Sequence, residues 1–131
     1  MELNIAVSPG ELIDRIAILQ IKRARIRAPD KLHNINQAYD ALSETLSAAI
    51  PSTPRLAELS EELRAVNEVL WQAEEDLRDH ERRQEFDAHF ISIARTVYIT
   101  NDRRSELKRQ IDELLGSSIV EEKFYKSTRS I

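Results

Sequence analysis

The sequence has no cysteine, which excludes a disulfide framework, a thiolate zinc site and a thiol nucleophile. It contains 2 glycines and 4 prolines among 131 residues, so few turns and long regular elements are expected. Two glycines are also too few for the glycine-rich loops of the dinucleotide and P-loop fingerprints. No stretch approaches the roughly 18 apolar residues of a membrane span, and the first residues lack a signal-peptide layout. We therefore expect a cytoplasmic protein with no membrane partner.

Charged residues make up 32% of the chain and apolar residues 41%, a balance that suits amphipathic helices with one apolar stripe and a broad solvated face. The net charge of −4 argues against a general nucleic-acid binder. The basic residues of 22–27 and 103–109 are spread around their helices, so we expect no nucleic-acid partner. The length fits one domain, 1–131, with a frayed tail from about residue 126.

Helix start signals divide the first half of the chain. Ser8 is followed by Pro9 and by a glutamate three residues after the serine, which is a capping box and predicts a helix to about residue 27. Asp30 is the expected N-cap of a second helix, which runs to about residue 50. Ahead of the first helix, the alternating apolar residues of 3–7 indicate a short extended segment that would fit a brief strand.

The second half shows two long heptad runs, and the first follows a start signal at Thr53. Eight positions stay in phase: Leu56, Leu59, Leu63, Val66, Leu70, Ala73, Leu77 and His80. The phase breaks near residue 84 and a new run begins, so we interpret 83–87 as a turn with Asp87 as N-cap. One long bent helix is the alternative. Gly116 is the expected C′ residue of the last helix.

These signals predict an all-α protein, an antiparallel helical bundle with two shorter and two long coiled-coil-like helices. At 1.5 Å per residue, the long helices of about 30 residues reach about 45 Å. Such helices extend past the short pair and leave an apolar seam uncovered. We therefore expect a homodimer, in which a second copy covers that seam.

Polar residues on the inner stripes of the long helices are the candidate ligand-binding residues. They are Asn67, Trp71, Glu74 and Arg78 on the third helix, and Arg95, Tyr98, Asn101, Asp102 and Arg104 on the fourth. One interpretation is a solvated stripe of ion pairs together with polar contacts that set the helix register. The other is a cavity at mid-bundle, with Trp71 as its apolar floor, that suits a small anionic ligand.

Catalytic and metal motifs are absent from the sequence. His33, His80 and His89 are scattered and form no HExxH pair, and no serine stands in a nucleophile-elbow context. We interpret His80, at a seam position, as an ordinary amphipathic contact. The catalytic residues stay unknown, and we expect neither a metal site nor a cofactor.

Four stretches together resemble an uncharacterised bacterial and phage family, a domain of unknown function: SPGELIDRIAILQIK, VNEVLWQAEEDLRDHE, FDAHFISIARTVYITNDRRSELK and GSSIVEEKFY. The resemblance covers nearly the whole chain and implies a stand-alone helical domain with no assigned reaction. Family members are of this length or are attached to larger proteins, some resembling glycosyltransferases. Beyond the polar stripes, the family's motif positions here include Glu11, Asp14, Asp87 and Lys108.

We therefore expect a homodimeric helical binding or interaction module, accessory to glycan or envelope metabolism. The alternative is a small all-α enzyme that acts on a phosphorylated or otherwise anionic small molecule in a metal-dependent reaction. The role of the EEKFY segment at 121–125 stays open.

Overall fold

The computed structural model describes residues 1–119, 122 and 128, and these form four α-helices. They are α1 (Pro9–Arg25), α2 (Pro29–Ala49), α3 (Pro54–Arg83) and α4 (Ala88–Leu114). Within the described residues there is no strand, so the all-α prediction is confirmed. The brief strand considered for residues 3–7 was wrong, because these residues lie exposed ahead of α1 and pair with no other segment of the described chain. Apart from residues 122 and 128, the EEKFY segment and the tail expected to fray lie outside the described residues.

Side-chain caps begin three of the helices where the sequence predicts them. Ser8 Oγ accepts a backbone N–H at 3.1 Å, Thr53 Oγ1 accepts one at 3.2 Å, and Asp87 Oδ1 accepts one at 2.9 Å. The N-cap expected at Asp30 was wrong. Pro29 takes the first helical position, where its fixed φ fits and its missing N–H costs nothing, so Asp30 falls inside the first turn.

A short turn separates α3 from α4, which confirms the break in phase and rules out one long bent helix. Gln84 adopts a left-handed conformation, with φ of 55°. Its N–H donates to the carbonyl of Glu81 at 3.1 Å, and the N–H of Glu85 donates to the carbonyl of His80 at 3.0 Å. This Schellman arrangement satisfies the last carbonyls of α3 and reverses the chain.

The same arrangement ends α4. Gly116 has φ of 64° and is the C′ residue that the sequence predicts. Its N–H donates to the carbonyl of Glu113 at 3.2 Å, and Ser117 N–H donates to the carbonyl of Asp112 at 2.9 Å. Asp112 is therefore held at a fixed position in the last turn of α4.

α1 is the central helix of the described fold. It packs against α2, α3 and α4, and α3 packs along α4, whereas α2 has α1 as its one neighbour among the described helices. The core cluster lies where α1, α3 and α4 meet: Ile13, Leu56, Leu59, Leu63, Leu107 and Ile111. The seam of α3 thus faces the core, while α2 contributes no buried residue. None of the described helices has the length and hydropathy to cross a bilayer.

Candidate binding groove

A buried carboxylate joins the three packed helices. Asp14 of α1 is 1% exposed. Its Oδ1 accepts from Asn67 Nδ2 of α3 at 2.9 Å and from Arg104 Nε of α4 at 2.9 Å, and its Oδ2 accepts from Arg104 Nη2 at 2.5 Å. A buried charge is costly unless it is paired and hydrogen-bonded. Here the bidentate guanidinium and the amide supply that compensation, and they fix the Arg104 side chain in turn.

A second pair of polar contacts continues along α4 at spacings of four residues. Lys108 Nζ lies 2.7 Å from Glu11 Oε2. The hydrogen bond from Lys108 is the main reason that the pKa of Glu11 lies below its usual value, and it outweighs the effect of partial burial. One turn further, Asp112 Oδ1 accepts the backbone N–H of Gly10 at 2.7 Å. Since Asp112 is fully buried against the first turn of α1, its carboxylate faces the positive end of that helix.

Gly10 is required for this close approach. A Cβ at position 10 would lie 2.4 Å from the carbonyl oxygen of Lys108 and 2.8 Å from Asp112 Oδ1. Because the first of these is a backbone atom, no side-chain movement relieves the overlap. The glycine therefore lets the start of α1 touch the end of α4.

A groove of about 630 Å³ opens beside the buried network, between α1, α3 and α4. Its apolar walls are formed by Ile18, Ile21, Leu70, Trp71 and Val97, and its polar lining by Asn67, Glu74, Glu75, Arg78, Asn101 and Arg104. Asn67 and Arg104 line the groove and also hydrogen-bond to Asp14, whereas Glu74 and Arg78 are solvent-exposed at the rim of the groove.

Trp71 is held in a defined position on the wall of the groove. Its indole N–H donates to Glu75 Oε1 at 2.9 Å. The guanidinium of Arg25, near the end of α1, lies 5.9 Å from the centre of the Trp71 ring and 3.7 Å from Glu75. Two neighbours therefore contact the ring, which offers a flat apolar surface to a ligand.

Six of the nine candidate residues line this groove: Asn67, Trp71, Glu74, Arg78, Asn101 and Arg104. The other three lie outside it. Arg95 and Tyr98 are exposed and do not line the groove, and Asp102 Oδ2 accepts from the backbone N–H and the hydroxyl of Thr128, at 2.9 and 2.5 Å. The inner stripe of α4 is thus Val97, Asn101 and Arg104.

Sequence reasoning missed the contribution of α1 to this site, namely the groove walls Ile18 and Ile21 and the contact of Gly10 with Asp112. The sequence did contain a signal for one part of this contribution, the buried carboxylate of α1. Asp14 falls on the apolar face of α1, and a charged residue at such a position must find a partner inside the protein.

Comparison with known proteins identifies the family of this chain but gives no reaction or ligand for it. Residues 3–131 match the model of a family of unknown function (DUF6165). No curated protein and no solved structure matches the chain. Since the match spans almost the whole sequence, the chain belongs to this family of unknown function, as its motifs predict.

Proposed function

We propose that this protein is a helical binding module whose ligand occupies the groove between α1, α3 and α4. The observation that carries the proposal is the groove itself, an open space of about 630 Å³ with apolar walls beside a buried polar network. Small-molecule sites commonly measure roughly 300–1,000 Å³ and combine apolar walls with a few placed polar groups. The groove fits both parts of that description.

The lining residues favour a ligand with a flat or ring-shaped body and an anionic substituent. Trp71 offers a flat ring surface, and Arg104 is oriented in advance by Asp14. Arg78 stands at the rim, 75% exposed and 3.8 Å from Glu74, so its guanidinium reaches a phosphate or carboxylate at little cost. Sugar phosphates and sugar nucleotides meet this description, which supports a role accessory to glycan or envelope metabolism.

We propose further that the module works as a homodimer in the cytoplasm. In the described part of the chain α2 has one helical neighbour, so its apolar residues Leu32, Ile35 and Leu42 stay half-exposed. A second copy against α2 would cover them. Light scattering that gives a mass near 15 kDa at micromolar concentration would refute the dimer.

Titration with a ligand panel tests the groove. The panel contains nucleotides, sugar nucleotides and sugar phosphates, each with and without Mg²⁺. Trp71 is the sole tryptophan, so its fluorescence reports on the groove alone, and amide chemical shifts locate the contact. We expect one member to give a saturable change with shifts at Ile18 and Asn101. Absence of any response across the panel would reject the groove as a ligand site.

Two arginines of α3 give a matched comparison. Arg78→Ala removes the rim cation and is expected to weaken binding by about tenfold, the value of one charge-assisted hydrogen bond. Arg82→Ala removes an exposed arginine that pairs with Asp79 and does not line the groove, so affinity should stay unchanged. Equal effects of both substitutions would show that the ligand responds to overall charge.

Product formation, followed by phosphorus NMR, would favour the enzyme alternative, in which the rim carboxylate Glu74 binds the metal.

A further inference from the structure

The turn between α3 and α4 brings three potential metal ligands together. His80, Glu85 and Asp87 each offer an atom, and these atoms lie within 4.8 Å of one another. His80 Nδ1 is 2.9 Å from the carbonyl oxygen of Glu85 and 3.8 Å from Asp87 Oδ1. We propose that this turn binds one divalent transition-metal ion of the Zn²⁺ type, through the His80 imidazole and the carboxylates of Glu85 and Asp87.

The geometry is close to what such an ion requires. Ligands at 2.0–2.2 Å from a tetrahedral zinc lie about 3.4 Å apart. The 3.8 Å between His80 Nδ1 and Asp87 Oδ1 therefore needs only a small shift of the exposed Asp87 side chain, whose Oδ1 keeps the Phe90 N–H as its capping donor. The Glu85 carboxylate is 53% exposed and pairs with Arg83 in solvent, and such a surface pair is weak enough to be exchanged for a metal ion.

A second imidazole stands beside the first. The ring of His89, in the first turn of α4, has its centre 5.2 Å from that of His80. His89 is exposed, so it is able to turn toward an ion at His80 and complete a fourfold set of two nitrogens and two carboxylates. Imidazole nitrogen favours Zn²⁺, Co²⁺ or Ni²⁺, whereas Mg²⁺ and Ca²⁺ prefer oxygen ligands alone.

The turn holds its central ligand rigidly. His80 is 4% exposed and packs against Phe90, with ring centres 5.8 Å apart. Backbone hydrogen bonds of Gln84 and Glu85 fix the turn around it. In the metal-free protein His80 Nδ1–H donates to the carbonyl of Glu85, and an ion at Nδ1 requires the tautomer that keeps its proton on Nε2.

Metal titration of the full chain, purified without a histidine tag and treated with EDTA, tests the site. We expect calorimetry with Zn²⁺ to give one equivalent bound, Co²⁺ to give the visible absorption of a four-coordinate ion, and Mg²⁺ to have no effect. Asp87→Asn keeps an oxygen that caps α4 but removes the charge, and should weaken Zn²⁺ binding at least about tenfold. His89→Gln should also weaken it. His33→Gln, an exposed histidine of α2, is the matched control and should leave it unchanged.

These variants keep His80 in place, so the test does not depend on a core substitution. The absence of binding at micromolar Zn²⁺ would overturn the proposal and leave His80 as a structural tie of the turn. Binding that survives both Asp87→Asn and His89→Gln would overturn it as well, because the ion would then lie elsewhere. Weakening by His33→Gln to the same degree would indicate non-specific surface binding and have the same consequence.

Discussion

Replacing Arg104 with methionine should destabilise the protein far more than replacing its partner, Asp14, with asparagine. The two side chains share hydrogen bonds, but they differ in exposure. The Asp14 side chain is 1% exposed, whereas 29% of the Arg104 side chain reaches the groove. Without the guanidinium, the buried carboxylate keeps the amide of Asn67 as its side-chain donor among the described residues. Without the carboxylate, the guanidinium still reaches water.

The magnitudes follow from this asymmetry. Removing one partner of a buried ion pair and leaving the other charge uncompensated costs about 3–5 kcal/mol, which we expect for Arg104→Met. Asp14→Asn keeps the shape and one acceptor oxygen, so we expect a loss of about 1–2 kcal/mol from the weaker hydrogen bonds. In the double variant no charge of this pair is left buried. Its loss of unfolding free energy should therefore be about 2 kcal/mol smaller than the sum of the two single losses.

Equilibrium unfolding in urea, followed by far-ultraviolet circular dichroism, measures these free energies. Arg103→Met is the matched control, because Arg103 contacts Glu62 and Glu106 in solvent, where such pairs contribute about 0–1 kcal/mol. A loss below about 1 kcal/mol for Arg104→Met would refute the reasoning. Strict additivity in the double variant would refute it too, since the Arg104–Asp14 pair would then carry no coupling.

Three further predictions concern the ends of the helices. Gly10→Ala should cost about 3 kcal/mol or more, because its Cβ overlaps the Lys108 carbonyl, and a loss below about 1 kcal/mol in urea would contradict this. Gln84→Gly should raise the stability by about 0.5–1 kcal/mol, since φ is positive there. A lower unfolding midpoint would mean that the side-chain hydrogen bond of Gln84 to the Glu81 carbonyl outweighs the strain. The hydrogen bond from Lys108 lowers the folded-state pKa of Glu11, so its stabilisation is complete above the unfolded pKa of about 4.3 and is lost as the pH falls below it. Glu11→Gln should therefore flatten the acid limb of the stability profile, and identical acid limbs would exclude this contribution.

The helices were predictable because their start signals are local. Ser8, Thr53 and Asp87 each place an oxygen over the first turn of the helix that follows, and no distant contact competes. The prediction was wrong at Asp30, where two local signals compete. The proline before it fits the first helical position so well that the helix starts two residues earlier, without a side-chain cap.

The groove was predictable only where helical spacing decides which residues share a face. Four lining residues of α3 follow one another at spacings of four, three and four: Asn67, Trp71, Glu74 and Arg78. They lie on one face of the helix, so a contact that orients one of them toward the groove orients the other three as well. On α4, Arg95, Tyr98 and Asp102 lie on one face and Asn101 and Arg104 on the face beside it, and periodicity alone does not say which of the two meets α1. Long-range packing determines which side of α4 lines the groove, and the sequence of one helix carries no information about that packing.

The buried polar contacts determine the position of α1, which forms one of the three walls of the groove. Arg104 and Asp112 lie eight residues apart on α4, a rise of about 12 Å, and each contacts a different turn at the start of α1. Apolar side chains alone tolerate sliding and rotation of one helix on another, whereas two hydrogen-bonded contacts at separate points oppose both. α1 is thereby held in a single register, and Ile18 and Ile21, one and two turns beyond Asp14, are carried to the groove by that register. Substitutions in the network should therefore alter the groove from outside it, so stability and binding are expected to change together.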